Sequence, residues 1–275
     1  MQLSRSTMGV VAALAIVPSA ALAATIQGGP GNERLRGTRA ADRIDGNAGN
    51  DRIIGLAGDD VLIGGPGDDR VLGGPGNDEI FGVQGNDRLR GGPGDDRISG
   101  DANDAGDRTS FDTILGGAGN DTLQGGDSRD RIDGGVGNDT SNGENGNDRM
   151  SGGNGDDVQH GGAGNDRIFA NRGQDTTYGD DGDDDLWALA RGDVTPGPGV
   201  DQVGDTLDGG PGNDRFHTRD GEVDRITCGD GNDIALLDQV DVITDATAQN
   251  PNGSCERVVR KAPKRNRSAP EDQED

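Results

Sequence analysis

Apolar residues recur at every ninth position over most of the chain. From residue 28 to residue 99 the spacing is unbroken, and the apolar positions are Leu35, Ile44, Ile53, Leu62, Val71, Ile80, Leu89 and Ile98. Each lies at the centre of a three-residue segment, which predicts a short strand with one side chain directed inward. An acidic linker built only from turn-forming residues would not keep an apolar residue at a fixed place, so the period indicates an ordered repeat.

Six turn-forming residues separate these short segments. The unit is Gly-Gly-x-Gly-Asn/Asp-Asp followed by x-apolar-x, as in residues 73–81. It fills two blocks, 28–99 and 116–187, with partial copies at 209–217 and 228–236. Glycine at the first, second and fourth positions permits positive φ and close backbone approach, and Asn or Asp at the fifth tolerates left-handed geometry. Successive units are predicted to lie on opposite faces, so one coil takes 18 residues and coils stack about 4.8 Å apart.

This unit resembles the RTX, or haemolysin-type, calcium-binding repeat, and the match covers about two thirds of the chain. The resemblance implies an all-β fold: a right-handed parallel β-roll, which is a β-solenoid of nine-residue repeats, with Ca²⁺ bound in the turns. It also implies that the segment from Cys228 to Glu256 is a capping end, as in many secreted members. One nonapeptide would be a weak signal, but many copies in fixed register are specific.

The sixth-position aspartates are the predicted metal ligands. Carboxylates one coil apart would repel each other in a dry turn. A hard dication between them, completed by turn carbonyls, removes that repulsion and accepts oxygen ligands at about 2.3–2.6 Å, whereas Mg²⁺ requires octahedral geometry and retains its waters. One ion between each pair of same-side turns gives roughly a dozen Ca²⁺, whose charge of about +24 nearly offsets the formal −25. The predicted ligands are Asp42, Asp51, Asp60, Asp69, Asp78, Asp87, Asp96, Asp121, Asp130, Asp139, Asp148, Asp157, Asp166, Asp175, Asp184, Asp214 and Asp233.

Some units depart from the pattern. Glu33 replaces Asp in the first unit and Ala40 and Ala41 weaken the second, which predicts a poor site or a cap in the N-terminal coil. In the second block Ser128 and Arg129 interrupt a turn. We expect this block to bind calcium more weakly, or to melt first, because alternate inward positions are polar. Those positions are Ser141, Gln159 and Thr177.

Arginine occupies the seventh position of many units, where the side chain is predicted to point outward. We expect these arginines to balance the acidic turns and to discourage aggregation. A basic ladder that binds a ligand is the alternative. The residues are Arg34, Arg43, Arg52, Arg70, Arg88, Arg97, Arg131, Arg149 and Arg167.

Composition adds two constraints. With 52 glycines, 2% aromatic residues and a formal charge of −25, the chain is too polar for an ordinary hydrophobic core, so something other than apolar packing must hold it together. The negative charge argues against nucleic acid and anionic membrane surfaces as partners, and it favours cations.

The N-terminus and the cysteines point to export. Residues 1–23 have the features of a secretory signal peptide: Arg5, an apolar run over residues 8–17, and a small-x-small end with cleavage expected after Ala23. The apolar run is too short to cross a bilayer and no other segment could, so the mature protein is expected to be secreted and extracellular. Cys228 and Cys255 are the two cysteines of the chain and are expected to form a disulfide bond.

Two insertions separate the predicted domains. The first, with the stretch from Asp101 to Asp112, faintly resembles an EF-hand loop, but Ala105 replaces a ligand and the final Glu is absent, so a surface loop is expected. The second is expected to break the roll as a linker or a lateral excursion. The predicted order is 24–99, first roll block; 100–115, insertion; 116–187, second block; 188–208, insertion; 209–257, degenerate units with the disulfide-linked cap; and 258–275, disordered charged tail.

The sequence contains no recognisable catalytic motif: HExxH and G-x-S-x-G are both absent. It therefore predicts a non-catalytic, secreted, calcium-binding structural or interaction module that folds on Ca²⁺ outside the cytoplasm. The alternative is a cell-surface adhesin or matrix-associated protein that uses the roll as a scaffold for a surface partner. An RTX-type toxin or hydrolase fragment is a further class, for which the repeats leave little room.

Overall fold

The chain folds into a parallel β-solenoid, described here by a computed structural model for residues 22–101, 110–188 and 204–262. It alternates between two sheets of twelve parallel strands each, and a small third sheet has two strands. No helix occurs within these ranges. The predicted all-β parallel roll is confirmed. The expected signal peptide lies almost wholly outside the described residues, as do residues 263–275 of the expected tail.

Alternate units of the repeat, beginning with residues 37–45, build most of the first sheet. Its strands, in spatial order, are β1 (Thr25–Gln27), β3 (Arg43–Asp45), β5 (Val61–Pro66), β7 (Glu79–Gln84), β9 (Arg97–Ser99), β11 (Thr122–Asp127), β13 (Thr140–Asn145), β15 (Val158–Ala163), β17 (Thr176–Asp181), β19 (Thr206–Asp208), β22 (Arg225–Thr227) and β25 (Val242–Ile243).

The intervening units build the second sheet. Its strands are β2 (Arg34–Arg36), β4 (Arg52–Ile54), β6 (Arg70–Leu72), β8 (Arg88–Pro93), β10 (Thr113–Ala118), β12 (Arg131–Val136), β14 (Arg149–Asn154), β16 (Arg167–Arg172), β18 (Asp185–Trp187), β21 (Arg215–Thr218), β24 (Ile234–Leu237) and β26 (Arg257–Arg260). The third sheet pairs β20 (Pro211–Gly212) with β23 (Asp230–Gly231).

The register repeats every 18 residues through the regular coils, as predicted. Ile44 pairs with Leu62, and Leu62 pairs with Ile80. These three side chains are fully buried, while the residues on either side of them are not, so each strand presents one residue to the core. The core therefore consists of two facing rows of side chains, one from each sheet.

Many strands are longer than the predicted three residues. In several coils the strand runs on through the first three residues of the next unit, as in β5 and β7. There Gly65 pairs with Val83, so the glycine-rich segment also joins the backbone ladder. The stacked coils thus share hydrogen bonds through parts of their turns as well as their strands.

Neither insertion interrupts the stack. Across the first one Leu89 pairs with Ile114, and across the second one Thr177 pairs with Leu207. The flanking strands are hydrogen-bonded neighbours in both places, and residues 102–109 and 189–203 lie outside the described ranges. The second insertion was expected to break the roll, and the pairing of β17 with β19 shows that the sheet continues past it.

The polar inward side chains of the second block are buried, and Gln159 and Thr177 are hydrogen-bonded. Ser141, Gln159 and Thr177 follow one another in register on the first sheet and are at most 3% exposed. With its amide nitrogen towards the Phe169 carbonyl, Gln159 donates a hydrogen bond there at 3.2 Å and accepts one from the Gly152 N–H at 3.0 Å. The Gln159 amide therefore does not carry the full cost of a buried unpaired group.

The C-terminal coils are covalently joined. Cys228 and Cys255 form the predicted disulfide bond, with their Cα atoms 5.2 Å apart. Beside it, β26 pairs with β24 and closes the second sheet. Within the described ranges, no helix has the length and apolar character that a membrane crossing requires.

We predict that the apolar and polar parts of the core differ in how much they stabilise the roll. Ile80→Ala removes fully buried apolar atoms and should lower the free energy of unfolding by about 2–4 kcal/mol. Thr177→Ala removes one weak hydrogen bond to Gln159 and should cost about 1 kcal/mol or less. Urea unfolding at saturating Ca²⁺ measures the free energy of unfolding of each variant. Equal losses would contradict the claim that the apolar part of the core stabilises the roll more than the polar part.

Candidate metal centre

The predicted ligands form two columns of buried carboxylates along the roll. All seventeen are at most 4% exposed. The first column precedes the strands of the first sheet, and the second column precedes those of the second sheet. The first contains Asp42, Asp60, Asp78, Asp96, Asp121, Asp139, Asp157 and Asp175; the second contains Asp51, Asp69, Asp87, Asp130, Asp148, Asp166, Asp184, Asp214 and Asp233.

One oxygen of each carboxylate is fixed by the neighbouring coil. The backbone N–H of Asp51 donates to Oδ1 of Asp69 at 2.6 Å, and the N–H of Asp69 donates to Oδ1 of Asp87 at 2.7 Å. The first column repeats this contact, for example from Asp60 to Asp78 at 2.9 Å. Each carboxylate is therefore held in one orientation by the residue one coil earlier.

The other oxygen, Oδ2, has no hydrogen-bond partner in most of these residues although it is buried. A buried ionised oxygen without a partner is costly, because it has lost water and gained nothing in exchange. The predicted ligands whose Oδ2 is in this state are Asp51, Asp60, Asp69, Asp78, Asp87, Asp96, Asp121, Asp130, Asp139, Asp148, Asp157, Asp166, Asp184, Asp214 and Asp233.

Beside the first glycine of the regular units, Oδ2 of the column aspartate and a carbonyl oxygen of the next coil both lie close to the place where a side chain would begin. A methyl group placed on Gly55 would collide with Oδ2 of Asp60 and lie 2.8 Å from the carbonyl oxygen of Gly73. A methyl group on Gly82 would likewise meet Asp87 and lie 2.7 Å from the Gly100 oxygen. These glycines do not adopt positive φ, so it is the cluster of oxygens that excludes a side chain there.

Side chains alone do not complete a metal site. Over the described ranges, no three His, Cys, Asp or Glu side chains come close enough together to bind one ion. Any bound ion must therefore take backbone carbonyls as well as carboxylates. An all-oxygen donor set from carboxylates and carbonyls suits a hard cation with flexible coordination, and Ca²⁺ fits this description better than a metal that prefers nitrogen or sulfur.

The fifth-position side chains form a separate row of hydrogen bonds along the turns, with the donor and acceptor coils in the opposite order. The fifth-position side chain accepts from the backbone of the following coil: the N–H of Asp68 donates to Asn50 at 3.2 Å, and the N–H of Asn86 donates to Asp68 at 3.0 Å. No fifth-position residue of the described units has positive φ, so left-handed geometry was the wrong reason for Asn and Asp there. Positive φ falls at the second and fourth positions instead, as at Asn47 and Gly49.

The structure adds carboxylates to both columns that the repeat pattern missed. The N–H of Asp87 donates to Asp112 at 2.7 Å and the N–H of Asp112 donates to Asp130 at 2.8 Å, so Asp112 fills the gap left by the first insertion. It is fully buried, and its assignment to a surface loop was wrong. The sequence before Asp112 lacks the glycine spacing of the repeat, but it retains Asp-x-apolar, in which the aspartate directly precedes the strand. The same motif precedes the other additions, which are Asp205, Asp224, Asp241 and, with Glu in place of Asp, Glu256.

The N-terminal coil differs from the rest. Oδ2 of Asp42 accepts a hydrogen bond from the Thr38 N–H at 2.5 Å, and Thr38 Oγ1 donates to its Oδ1 at 3.1 Å. A carboxylate oxygen of Glu33 accepts from the Gly29 N–H at 3.2 Å. Local donors therefore satisfy Asp42 where deeper coils leave Oδ2 unpaired, and this favours the predicted cap over a full metal site.

Burial raises the pKa of many of the column carboxyl groups, among them Asp51 and Asp60. Loss of solvation is the largest cause, the backbone N–H donor opposes it, and repulsion from the neighbouring column carboxylate adds to it. The pKa of Asp69, Asp78 and Asp96 rises from the ordinary 3.8 to about 7, and that of Asp87 and Asp130 rises to about 9. Without a cation, these groups would hold protons near neutral pH.

Comparison with protein families also indicates a calcium-binding repeat. The family model of the RTX calcium-binding nonapeptide repeat matches more than half of the chain, at residues 27–62, 45–80, 81–104, 109–141, 142–159, 152–186 and 204–235. The chain belongs to the RTX calcium-binding repeat family. A search of curated proteins finds no significant match to it. The RTX repeats and the parallel roll together make this a calcium-binding repeat protein.

We predict that acid partly replaces calcium in folding the RTX roll. Because the folded pKa values are raised, protonation stabilises the metal-free roll fully below the ordinary value of 3.8, and this stabilisation is lost as the pH rises through about 7 to 9. Far-UV circular dichroism of the chelator-treated chain should show β-structure at pH 5 that disappears at pH 9. A metal-free spectrum that is the same at both pH values would contradict the assigned burial of these carboxyls.

We predict that the first-position glycine is required for the RTX site. Gly73→Ala places a methyl group against Oδ2 of Asp78 and 2.9 Å from the Gly91 oxygen, so the calcium concentration at the folding midpoint should rise about tenfold or more. Gly29→Ala is the matched control, because its methyl group would lie 3.4 Å from its nearest neighbour, the Glu33 carboxylate. Equal midpoints for the two variants, measured by circular dichroism, would place the ions elsewhere.

Proposed function

We propose that this chain is a secreted, non-catalytic β-roll that folds when several Ca²⁺ ions bind outside the cytoplasm, and that the folded roll serves as a structural or interaction module. The observation that carries the proposal is the row of buried, unpartnered Oδ2 atoms in both aspartate columns. The residues that would hold the ions are the column aspartates, together with the carbonyl oxygens of the first-position glycines.

Energetics support a cation as the element that completes the fold. Like charges one coil apart, at about 4.8 Å, repel each other and have little water to screen them. Most strands contribute one inward side chain, and in part of the second block that side chain is polar, so little apolar burial is available to offset the repulsion. A Ca²⁺ ion between coils supplies an opposite charge and a partner for Oδ2, so its binding free energy becomes folding free energy.

Folding by calcium also favours a location outside the cytoplasm. A site that folds its own protein should be empty where calcium is scarce and filled where it is abundant, and extracellular calcium modules have dissociation constants of about 10⁻⁴ to 10⁻³ M. The disulfide bond between Cys228 and Cys255 and the secretory features of residues 1–23 support an oxidising location. We therefore propose export of a loosely ordered chain and folding outside, with roughly a dozen ions bound.

A calcium titration tests the proposal. Far-UV circular dichroism of the mature chain should change from coil to β-structure when Ca²⁺ is added to a chelator-treated sample at pH 9, with a midpoint in the range from about 10⁻⁴ to 10⁻³ M. Isothermal titration calorimetry of the same sample counts the ions. A compact, protease-resistant chain in excess chelator at this pH would overturn the proposal.

Removing charge from the aspartate column should raise the calcium midpoint, whereas removing the same charge from the exposed fifth position should leave it nearly unchanged. Asp69→Asn combined with Asp87→Asn keeps the Oδ1 acceptors but replaces two orphaned oxygens, so the calcium midpoint should rise about tenfold or more. Asp68→Asn combined with Asp95→Asn removes two exposed charges from the fifth position and keeps the acceptors for Asn86 and Asn120, so its midpoint should stay within about twofold. A similar shift in both double variants would mean that net charge, and not the column, sets calcium affinity.

A further inference from the structure

The outer faces of the two sheets carry different charges. In each strand the residues before and after the inward side chain point outward, at the seventh and ninth positions of the unit. On the second sheet most of the charged residues at these positions are arginines. They are Arg34, Arg36, Arg52, Arg70, Arg88, Arg90, Arg131, Arg149, Arg167, Arg215 and Arg257, and they are accompanied by two acidic residues, Asp133 and Asp185. We call this surface the arginine face.

The first sheet shows no such excess. Its outward positions are mostly Thr, Val and amide residues, and their charges cancel between three arginines and three acidic residues. These are Arg43, Arg97 and Arg225 against Asp45, Glu79 and Asp208. The arginine excess is therefore a property of one face, although both faces come from the same repeat.

The arginines of this face are aligned with one another. Arg34 pairs with Arg52, Arg52 with Arg70, and Arg70 with Arg88, so four guanidinium groups stand in a row about 4.8 Å apart per step. Like charges directly opposite on neighbouring strands destabilise a sheet. All four side chains are exposed, and in the described part of the chain none of them has a carboxylate within 4 Å. The exposed Asp68 attracts Arg88 over a longer distance, but no ion pair within 4 Å offsets the repulsion along this row.

We propose that the arginine face binds a linear acidic polysaccharide, a sulfated or carboxylated sugar chain that lies along the roll axis across successive coils. Guanidinium groups bind sulfate and carboxylate through paired, charge-assisted hydrogen bonds, and an evenly spaced row of them matches a polymer with repeating anionic groups. Each contact would replace an arginine–arginine repulsion with an attraction.

The width of the face selects a narrow polymer. The seventh to ninth residues of a unit, which form its strand, extend over only about 10 Å. Exposed acidic side chains flank both edges, with Asp68 on one side and Asp59 and Asp95 on the other. A flat anionic bilayer or a nucleic acid duplex would meet these carboxylates, whereas a single sugar chain fits between them.

Single-stranded nucleic acid fits less well because the rings on this face are not available for stacking. Trp187 and His217 stack on each other with ring centroids 3.7 Å apart, and Phe169 lies 5.8 Å from Trp187 on the other side. Arg149 covers Phe169 at 5.3 Å. Proteins that bind single strands offer free aromatic faces to the bases, and these rings use their faces on one another.

The formal charge of −25 does not prevent this binding once calcium is present. Much of the negative charge lies in the turn columns, where Ca²⁺ would neutralise it. At physiological ionic strength the range of an uncompensated charge is about 8 Å, so a polymer on the face responds mainly to the arginines that it touches. Binding to the arginine face requires the folded roll, whatever the compartment and the number of bound ions.

The experiment compares two matched triple variants of the full chain in saturating Ca²⁺. Arg52→Gln, Arg70→Gln and Arg88→Gln remove three charges from the arginine face; Arg43→Gln, Arg97→Gln and Arg225→Gln remove three from the first sheet. All six arginines follow a column aspartate directly, so any side effect on calcium sites is matched. The probe is a size-defined heparin oligosaccharide, with neutral dextran as the uncharged polymer, and affinity is measured by isothermal titration calorimetry at several salt concentrations.

We expect heparin to bind the native chain and not dextran, with an affinity that falls as salt rises. The arginine-face variant should bind about tenfold more weakly or worse and with a smaller salt dependence, while the first-sheet variant should stay within about twofold. Equal losses in both variants, no heparin binding at 0.15 M salt, or tighter binding of oligothymidylate or phosphatidylserine vesicles would overturn the proposal. Circular dichroism in calcium, run on each variant, separates these outcomes from a failure to fold.

Discussion

The structure depends on how the second oxygen of each column aspartate is satisfied. The fold supplies a backbone donor for Oδ1 of Asp69 and Asp87 but leaves Oδ2 buried and unpaired. An ordinary core could tolerate a few such atoms, but this chain repeats the arrangement in every regular coil and has one inward side chain per strand to offset it. The fold is therefore complete only with a counter-charge, and protons or a hard cation are the two agents that its chemistry admits.

The strictness of the repeat follows from this dependence. At the sixth position the backbone N–H of each coil donates to the side chain of the following coil. At the fifth position the side chain of each coil accepts from the backbone N–H of the following coil. A change in the length of the turn would move an aspartate away from the donor that orients it. Extra residues occur where the flanking strands keep their pairing, as between Leu89 and Ile114. Each coil interacts mainly with its neighbours, which is the behaviour of a linear array.

Much of this could be read from the sequence, and the parts that could not have physical causes. The nine-residue period predicts the sheets, the inward residues and most of both columns, because position in the unit decides burial. Asp112, Asp205 and Asp224 were missed because insertions or shortened turns shift them off the period, although each keeps an apolar residue two positions later. The role of Asn50 and Asp68 was also missed, since a tolerance for left-handed backbone and a side-chain acceptor role select the same residue types. The cysteine pair was predicted because an isolated pair leaves one choice.

The arrangement of arginine shows what periodicity hides in such a chain. Read along the sequence, Arg43 and Arg52 occupy the same position of adjacent units, yet the roll sends them to opposite faces. Charge that looks evenly spread becomes concentrated on one surface only when coils of 18 residues are stacked in register. Calcium would act twice on this surface: it aligns the arginine rows by folding the roll, and it neutralises the turn carboxylates at their edges. In the unfolded chain the arginines are dispersed among a larger number of acidic groups, so affinity for an anionic polymer should arise together with the fold.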